Sequence, residues 1–163
     1  MLKVDGVATK EDIEKVFPNK ERLNKKAVAI IECFEKIPCN PCFTACKRKA
    51  IKEFKDINDL PKIDFEKCNG CGLCISKCPG LAIMVVDMTY SLDKALVKIP
   101  YEFLPLPKKG EVVKGLNRLG EYITDVEVIN VLNSKGLDKT PIVSISIDKR
   151  YIKDIRNIRL KGE

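Results

Sequence analysis

The eight cysteines are the residues of this chain whose type and spacing could do chemistry, and all of them lie between Cys33 and Cys78. The second half of the set reads C-x2-C-x2-C-x3-C-P over residues 68–79, a spacing at which thiolates hold 4Fe-4S clusters. The chain contains no histidine, which excludes His-containing zinc sites, Rieske centres and Ser-His-Asp catalysis. The residue types therefore predict one-electron chemistry on bound clusters.

The first cysteine set has a related spacing, C-x5-C-x2-C-x3-C, over residues 33–46. Its last three members repeat the spacing of residues 71–78, and an Ala-Ile pair follows each set, at 50–51 and at 82–83. These matches indicate an internal duplication.

Each half of the duplication supplies four of the cysteines. If the fourth cysteine of each set binds the cluster of the other set, the chain holds two complete four-thiolate sites. The predicted ligands are Cys33, Cys39, Cys42 and Cys78 for one cluster, and Cys68, Cys71, Cys74 and Cys46 for the other.

Three other interpretations of the cysteines stay open. Two four-cysteine zinc sites would also use eight thiolates, although zinc sites usually present separated C-x2-C pairs. A disulfide framework is disfavoured, because the first residues show no export-signal pattern and reducing compartments do not maintain disulfides. The five-residue gap after Cys33 could place this thiol off the first cluster, which would leave a labile or three-iron site.

Composition and charge limit the partners. The chain has 163 residues, and no apolar run approaches the roughly 18 residues that span a bilayer, so we expect a soluble, cytoplasmic protein without membrane insertion. The formal net charge is +7, but each cluster with four thiolates carries about −2, which lowers the total to about +3. We therefore expect no nucleic-acid partner.

A positively charged patch, formed by Lys47, Arg48, Lys49, Lys52 and Lys55, follows directly on Cys46. Such a run is usually a solvated face. It could also raise the potential of the neighbouring cluster and attract an acidic redox partner.

The remaining sequence predicts short elements. Residues 1–25 form a charged lead-in that covers one face of the cysteine region, with Thr9 as the N-cap of a helix over 10–16. Strand-like residues at 27–31 and 62–65 precede the two cysteine sets. After Met88, period-two runs predict strands at 95–99, 111–116, 122–129 and 142–147, and residues 149–160 fit either a helix or a strand.

The stretch from Cys68 to Ile83 resembles the second motif of the bacterial two-cluster 2(4Fe-4S) ferredoxins, although Lys47 stands where that family usually has proline after the first set. This resemblance implies two 4Fe-4S clusters and a pseudo-two-fold pair of βαβ repeats. The phrase from Glu32 to Cys42 also resembles the small iron-sulfur subunits that accompany flavin-dependent amine or amino-acid dehydrogenases in anaerobic bacteria.

The expected fold class is α+β, with a ferredoxin-like 2(4Fe-4S) module followed by a small antiparallel β-barrel or sandwich module. The expected domains are the N-terminal lead-in at 1–25, the ferredoxin-like domain at 26–90 and a β-rich docking domain at 91–163.

The expected function is electron transfer. The chain has no placed nucleophile, base or substrate motif, so any enzymatic activity would belong to a larger complex. The resemblance implies a hetero-oligomer in which this chain passes single electrons between a flavoprotein catalytic subunit and another iron-sulfur subunit or soluble carrier. A free-standing ferredoxin-type carrier and a structural or sensory iron-sulfur protein remain as alternatives.

Overall fold

The computed structural model describes residues 2–162, and its main element is one seven-stranded antiparallel sheet. The strands are β1 (Val28–Ile31), β2 (Ile83–Asp87), β3 (Lys94–Pro100), β4 (Val112–Leu116), β5 (Tyr122–Leu132), β6 (Ile142–Asp148) and β7 (Asn157–Arg159). Their order across the sheet is β1-β2-β3-β6-β5-β4-β7. Long strands with alternating burial, such as β3, place one face on the core.

The helices are few and short. They are α1 (Leu2–Asp5), α2 (Lys10–Val16), α3 (Lys20–Leu23) and α4 (Pro41–Ala45), with 3-10 turns at Lys135–Leu137 and Lys149–Tyr151. The predicted cap of α2 is confirmed: Thr9 and Asp12 form a reciprocal capping box at its first turn. Residues 149–160, which the sequence left undecided, form a 3-10 turn followed by β7.

The ferredoxin-like repeats have less regular structure than two βαβ units. In the first repeat only α4 is helical, and the matching segment of the second repeat, residues 73–77, is a run of turns. The strand predicted at 62–65 is reduced to a single bridge between Ile63 and Ile51. The first turn of a helix is costly to form, and segments of this length gain too few backbone hydrogen bonds afterwards to offset that cost.

The predicted barrel or sandwich module is not confirmed, because the strands after residue 90 belong to the same sheet as β1 and β2. Strand β2 pairs with β3 from Val85–Lys98 to Asp87–Leu96, so the sheet continues from the cysteine region into the later strands. One hydrophobic cluster also runs from Ile13 to Leu160. Strand β2 is buried, and without β3 the backbone N–H and C=O groups along its second edge would have no hydrogen-bond partners. This requirement favours a continuous sheet. The division at residue 90 falls in the turn between β2 and β3, and it stays a prediction.

The N-terminal segment contacts both halves of the chain: Arg22 on α3 donates to the Cys68 carbonyl at 2.8 Å, and Glu14 on α2 pairs with Lys153. Its apolar side chains Ile13, Phe17 and Leu23 are buried in the common core. Within the described residues, no helix is long and apolar enough to cross a membrane.

Candidate iron-sulfur site

Two cavities divide the eight cysteines into two groups of four. The first cavity is lined by Cys33, Cys39, Cys42 and Cys78. The second cavity is lined by Cys46, Cys68, Cys71 and Cys74. The two cavities are similar in size. The structure therefore brings together the same two groups that the crossed spacing predicted, including Cys33.

The backbone around the cavities repeats itself with an offset of 32 residues. Cys46 and Cys78 sit at equivalent positions, and each is followed three residues later by a non-glycine residue with positive φ, Lys49 at 53° and Leu81 at 50°. The sulfur of Cys46 accepts a hydrogen bond from the Ala50 amide at 3.3 Å, and that of Cys78 accepts one from Ala82 at 3.4 Å. The duplication therefore extends to the turns that orient Cys46 and Cys78.

The repeat also explains how the strands support the site. The β1–β2 pair Ile31–Ile83 corresponds, by the same offset, to the Ile51–Ile63 bridge. Apolar side chains of these pairs line the cavities, with Ile31 and Ile83 in the first and Ile51 and Ile63 in the second. The β1–β2 pair therefore forms part of the wall of the first cavity, and the isolated bridge forms the equivalent part of the second.

The two cavities differ at the first cysteine of each set. The sulfur of Cys68 accepts a hydrogen bond from the Ala29 amide at 3.4 Å, on the open edge of β1. The residue equivalent to Ala29 is Pro61, which lines the first cavity and has no amide hydrogen to donate to Cys33. The wider spacing after Cys33 therefore coincides with a different local environment.

Burial raises the pKa of three of the unliganded thiols, Cys33, Cys42 and Cys74. Burial, together with the other three thiols of its cavity, raises the pKa of Cys74 to about 12. Burial and the nearby Cys78 thiol raise the pKa of Cys42 to about 11, and they also raise the pKa of Cys33. Binding of a cationic iron-sulfide core to these thiols would release their protons, because the thiolate is the ligand.

The arrangement fits clusters better than single metal ions or disulfides. All eight cysteines are free thiols. In residues 2–162, no three cysteine or carboxylate side chains converge closely enough to hold one metal ion. A tetrahedral zinc ion needs four sulfurs about 2.3 Å from one point, whereas a cubane is held by sulfurs spread around a larger volume. Four thiols around each cavity satisfy the second requirement.

Gly70 allows the loop of the second cavity to approach β1. It has a φ of +66°, and a Cβ at this position would overlap the side chain of Ala27 and lie 2.8 Å from its carbonyl carbon. Glycine is therefore required both by the left-handed backbone and by the close contact.

A buried ion-pair group beside the first cavity was not found from the sequence. The Glu32 carboxylate accepts hydrogen bonds from Arg118 Nε and Nη2 at 2.9 and 2.7 Å, and Arg156 Nε lies 3.2 Å from it. Burial opposes ionisation of Glu32, but the hydrogen bond from Arg118 and the charge of Arg156 hold its pKa below the usual value. This group joins the end of β1 to the β4–β5 turn and to the residue before β7. No spacing signal predicts it, because its members are more than 30 residues apart.

Comparison with known proteins supports the same chemistry. A family model described as a 4Fe-4S binding domain matches residues 61–84. The subunit VorC of ketoisovalerate oxidoreductase from Methanothermobacter marburgensis is 37% identical over 68 residues, which are 39% of this chain and 86% of VorC. The subunit PorD of pyruvate synthase from Methanocaldococcus jannaschii is 40% identical over 50 residues, which are 31% of this chain and 56% of PorD.

A third relative covers more of this chain. Protein Pixie of Drosophila melanogaster is 26% identical over 117 residues, or 62% of this chain. The chain spans 19% of Pixie and just over half of PorD. No solved structure matches the chain at a significant level.

The cysteine motif, the matched domain and the nearly complete coverage of VorC agree with one another. On this evidence the chain belongs to the 4Fe-4S ferredoxin-type family of proteins.

Proposed function

We propose that this protein is the iron-sulfur electron-transfer subunit of an oxidoreductase complex and that it holds two 4Fe-4S clusters, one in each cavity. The observation that carries the proposal is the division of eight free thiols between two cavities of similar size. When bound, a cluster supplies one-electron redox chemistry. The residues of this chain hold the clusters, shield them from water and set their potentials.

The cysteines of the first cavity would hold one cluster and those of the second cavity the other. In this arrangement Cys46 and Cys78 each serve the cavity of the opposite set, which ties the two halves of the duplication together. Each of the two sulfurs accepts a backbone hydrogen bond, from Ala50 and Ala82 respectively.

The proposed catalytic partner is a flavoprotein that oxidises an amine or amino acid, with another iron-sulfur subunit or a soluble carrier as the electron acceptor. The likeness of the phrase from Glu32 to Cys42 to the small subunits of such dehydrogenases supports this partner. Two one-electron centres also match the two electrons that a reduced flavin releases. The protein would then work in a hetero-oligomer.

A second candidate partner is an enzyme that oxidises a 2-oxo acid. The names of PorD and VorC favour it, since pyruvate and ketoisovalerate are 2-oxo acids. In this case too the chain would be the electron-transfer subunit, and only the catalytic chemistry of the complex would differ.

The positively charged patch is the proposed contact for an acidic carrier. Lys47, Arg48 and Lys49 are exposed. The Arg48 guanidinium lies 3.1–3.2 Å from the side-chain amide of Asn69, whose oxygen accepts two hydrogen bonds when turned toward it. The patch is therefore attached to the loop that carries Cys68 and Cys71.

Anaerobic purification with iron and sulfide analysis, followed by EPR of the reduced protein, tests the cofactors. We expect about eight irons per chain and two interacting spin centres. About four irons would contradict the second cluster, and zinc or disulfides in a reconstituted sample would overturn the electron-transfer function.

Co-purification identifies the partner, because a flavoprotein and a 2-oxo acid oxidoreductase differ in their bound cofactors and substrates. A monomer that exchanges electrons with many acceptors would instead indicate a free carrier.

A further inference from the structure

A buried arginine beside the second cavity distinguishes the two proposed clusters. Arg22, on α3, is 3% exposed. Its guanidinium donates four hydrogen bonds to backbone carbonyls, at 2.7 Å to Phe65, 2.8 Å to Lys26, 3.3 Å to Ala27 and 2.8 Å to Cys68. These hydrogen bonds connect the N-terminal segment to the loop that begins at Cys68.

In the described part of the chain, no buried carboxylate balances the positive charge of Arg22. Among the residues that the structure describes, its ion-pair partner is Glu66 at 4.0 Å, and the Glu66 side chain is 69% exposed. Buried charges are normally paired, since taking a charge out of water is costly. Four thiolates around an iron-sulfide core carry about −2. A cluster in the second cavity would supply the negative charge that Arg22 lacks.

Two more cations reach the same loop from other parts of the chain. Lys98, on β3, donates to the Gly70 carbonyl at 3.4 Å, and Arg48 faces the Asn69 amide. Three consecutive residues, 68–70, thus each contact a cationic side chain.

The first cavity has the opposite electrostatic character. Glu35 and Asp59 line it, and of the residues placed by the structure no lysine or arginine does so. Arg156 donates to the Leu81 carbonyl at 3.5 Å and shares the Glu32 carboxylate with Arg118, so this group leaves one net positive charge outside the lining of the first cavity. Counting the described residues, the first cavity has one hydrogen bond from a backbone amide to a cysteine sulfur, at Cys78, and the second has two, at Cys46 and Cys68.

We propose that Arg22 is the buried counter-charge and positioning residue of the cluster in the second cavity, and that it makes this cluster the more easily reduced of the two. Reduction adds negative charge, so a fixed cation and additional amide hydrogen bonds favour it at the second cavity. This inference rests on the proposed function, because it requires both clusters.

The test is an EPR-monitored redox titration of the full-length protein with both clusters bound. We expect Arg22→Gln to lower the higher midpoint potential and to leave the lower one unchanged, with Arg22→Lys giving a smaller fall. In a Cys33→Ser background, which removes the first cluster, Arg22→Gln should lower the one remaining potential. A fall confined to the lower potential, equal falls in both, or no change would overturn the inference.

A second pair of variants keeps the test decisive if Arg22→Gln does not fold. Lys98→Gln should lower the same, higher potential by a smaller amount, whereas Lys94→Gln on the same strand should not, because Lys94 pairs with Asp148 at 3.4 Å. Unmoved potentials in Lys98→Gln would contradict the inference. Iron analysis distinguishes a failure of the proposed function from a failure of this inference. A wild-type protein with fewer than about eight irons per chain contradicts the proposed function itself. Full iron content with unchanged midpoint potentials in the variants contradicts this inference alone.

Discussion

At the scale of single residues, the crossed positions of Cys46 and Cys78 decide how the site is built. Each is the last cysteine of its own set in sequence but lines the cavity of the other set. The structure also places Cys33 with Cys78 in the first cavity, despite the wide gap after Cys33. The irregular spacing therefore does not remove this thiol from its group.

Paired serine substitutions test the crossed arrangement. Cys33→Ser with Cys78→Ser should cost one cluster, because both thiols line the first cavity, and iron should fall from about eight to about four per chain. Cys33→Ser with Cys46→Ser removes one thiol from each cavity and should cost both clusters. Iron analysis and EPR check the result, and similar losses in the two double variants would contradict the crossed ligand set.

The buried Glu32 group also acts at the residue scale. Glu32→Gln leaves the charges of Arg118 and Arg156 without a carboxylate, in side chains that are 15% and 10% exposed. We expect the free energy of unfolding to fall by about 3 kcal/mol, as for other broken buried ion pairs. Chemical unfolding measures the change.

The matched control for Glu32 is Glu21→Gln. Glu21 pairs with Lys25 on an exposed helix face, where the side chains are 77% and 52% exposed. Such surface pairs contribute little, so we expect little measurable change. Equal effects of the two substitutions would show that the Glu32 group has no special role.

At the scale of elements, the two cysteine loops are repeats that depend on particular backbone conformations. The repeated cysteine spacing indicates that the two loops are related, and glycine stands at positions 70 and 72 of the second loop. The spacing does not show that Gly70 lies against Ala27, just before β1, since that contact depends on how the loop folds back onto the sheet.

Substitution of Gly70 tests this contact. Gly70→Ala should destabilise the protein by about 2–3 kcal/mol and lower the iron content of the second cavity, because the new methyl group would overlap Ala27 at a positive φ. Thermal unfolding and iron analysis measure both effects. Gly136→Ala is the control, since nothing lies within 4 Å of a Cβ there. A Gly70→Ala protein with full iron and unchanged stability would contradict the contact.

The positively charged patch is a second element-scale feature. Replacing Lys47, Arg48 and Lys49 with glutamine should lower one midpoint potential, slow electron transfer to an acidic carrier and weaken the salt dependence of that rate. Stopped-flow kinetics at several salt concentrations measure the rates. Glutamine at the exposed Lys108, Lys109 and Lys135 is the control. Unchanged potentials and rates in the patch variant would leave the patch as an ordinary solvated face.

At the scale of the whole molecule, the sheet and the core are continuous across the predicted domain boundary. Strands β2 and β3 pair directly, and the later strands β6, β5, β4 and β7 extend the same sheet. The Glu32 group joins the β1 end to residues near β4 and β7. The β-rich half therefore supports the cysteine region through hydrogen bonds, core packing and ion pairs.

Cutting the chain tests this continuity. A protease site inserted in the turn between β2 and β3, cleaved after folding, should leave the two pieces associated, because the paired strands and the common core remain. Size-exclusion chromatography with iron analysis measures the outcome. Separation into two stable pieces would instead favour the independent modules that the sequence suggested.

The sequence by itself determined the chemistry: cysteine type, count and spacing predict iron-sulfur clusters, since ligand geometry is local and leaves a pattern in the chain. Period-two runs likewise placed most strands, and Thr9 placed the start of α2. Only the tertiary structure decided the rest. The single sheet, the Glu32 ion pairs and the buried Arg22 join residues far apart in sequence, and such contacts follow from three-dimensional packing that no local spacing records.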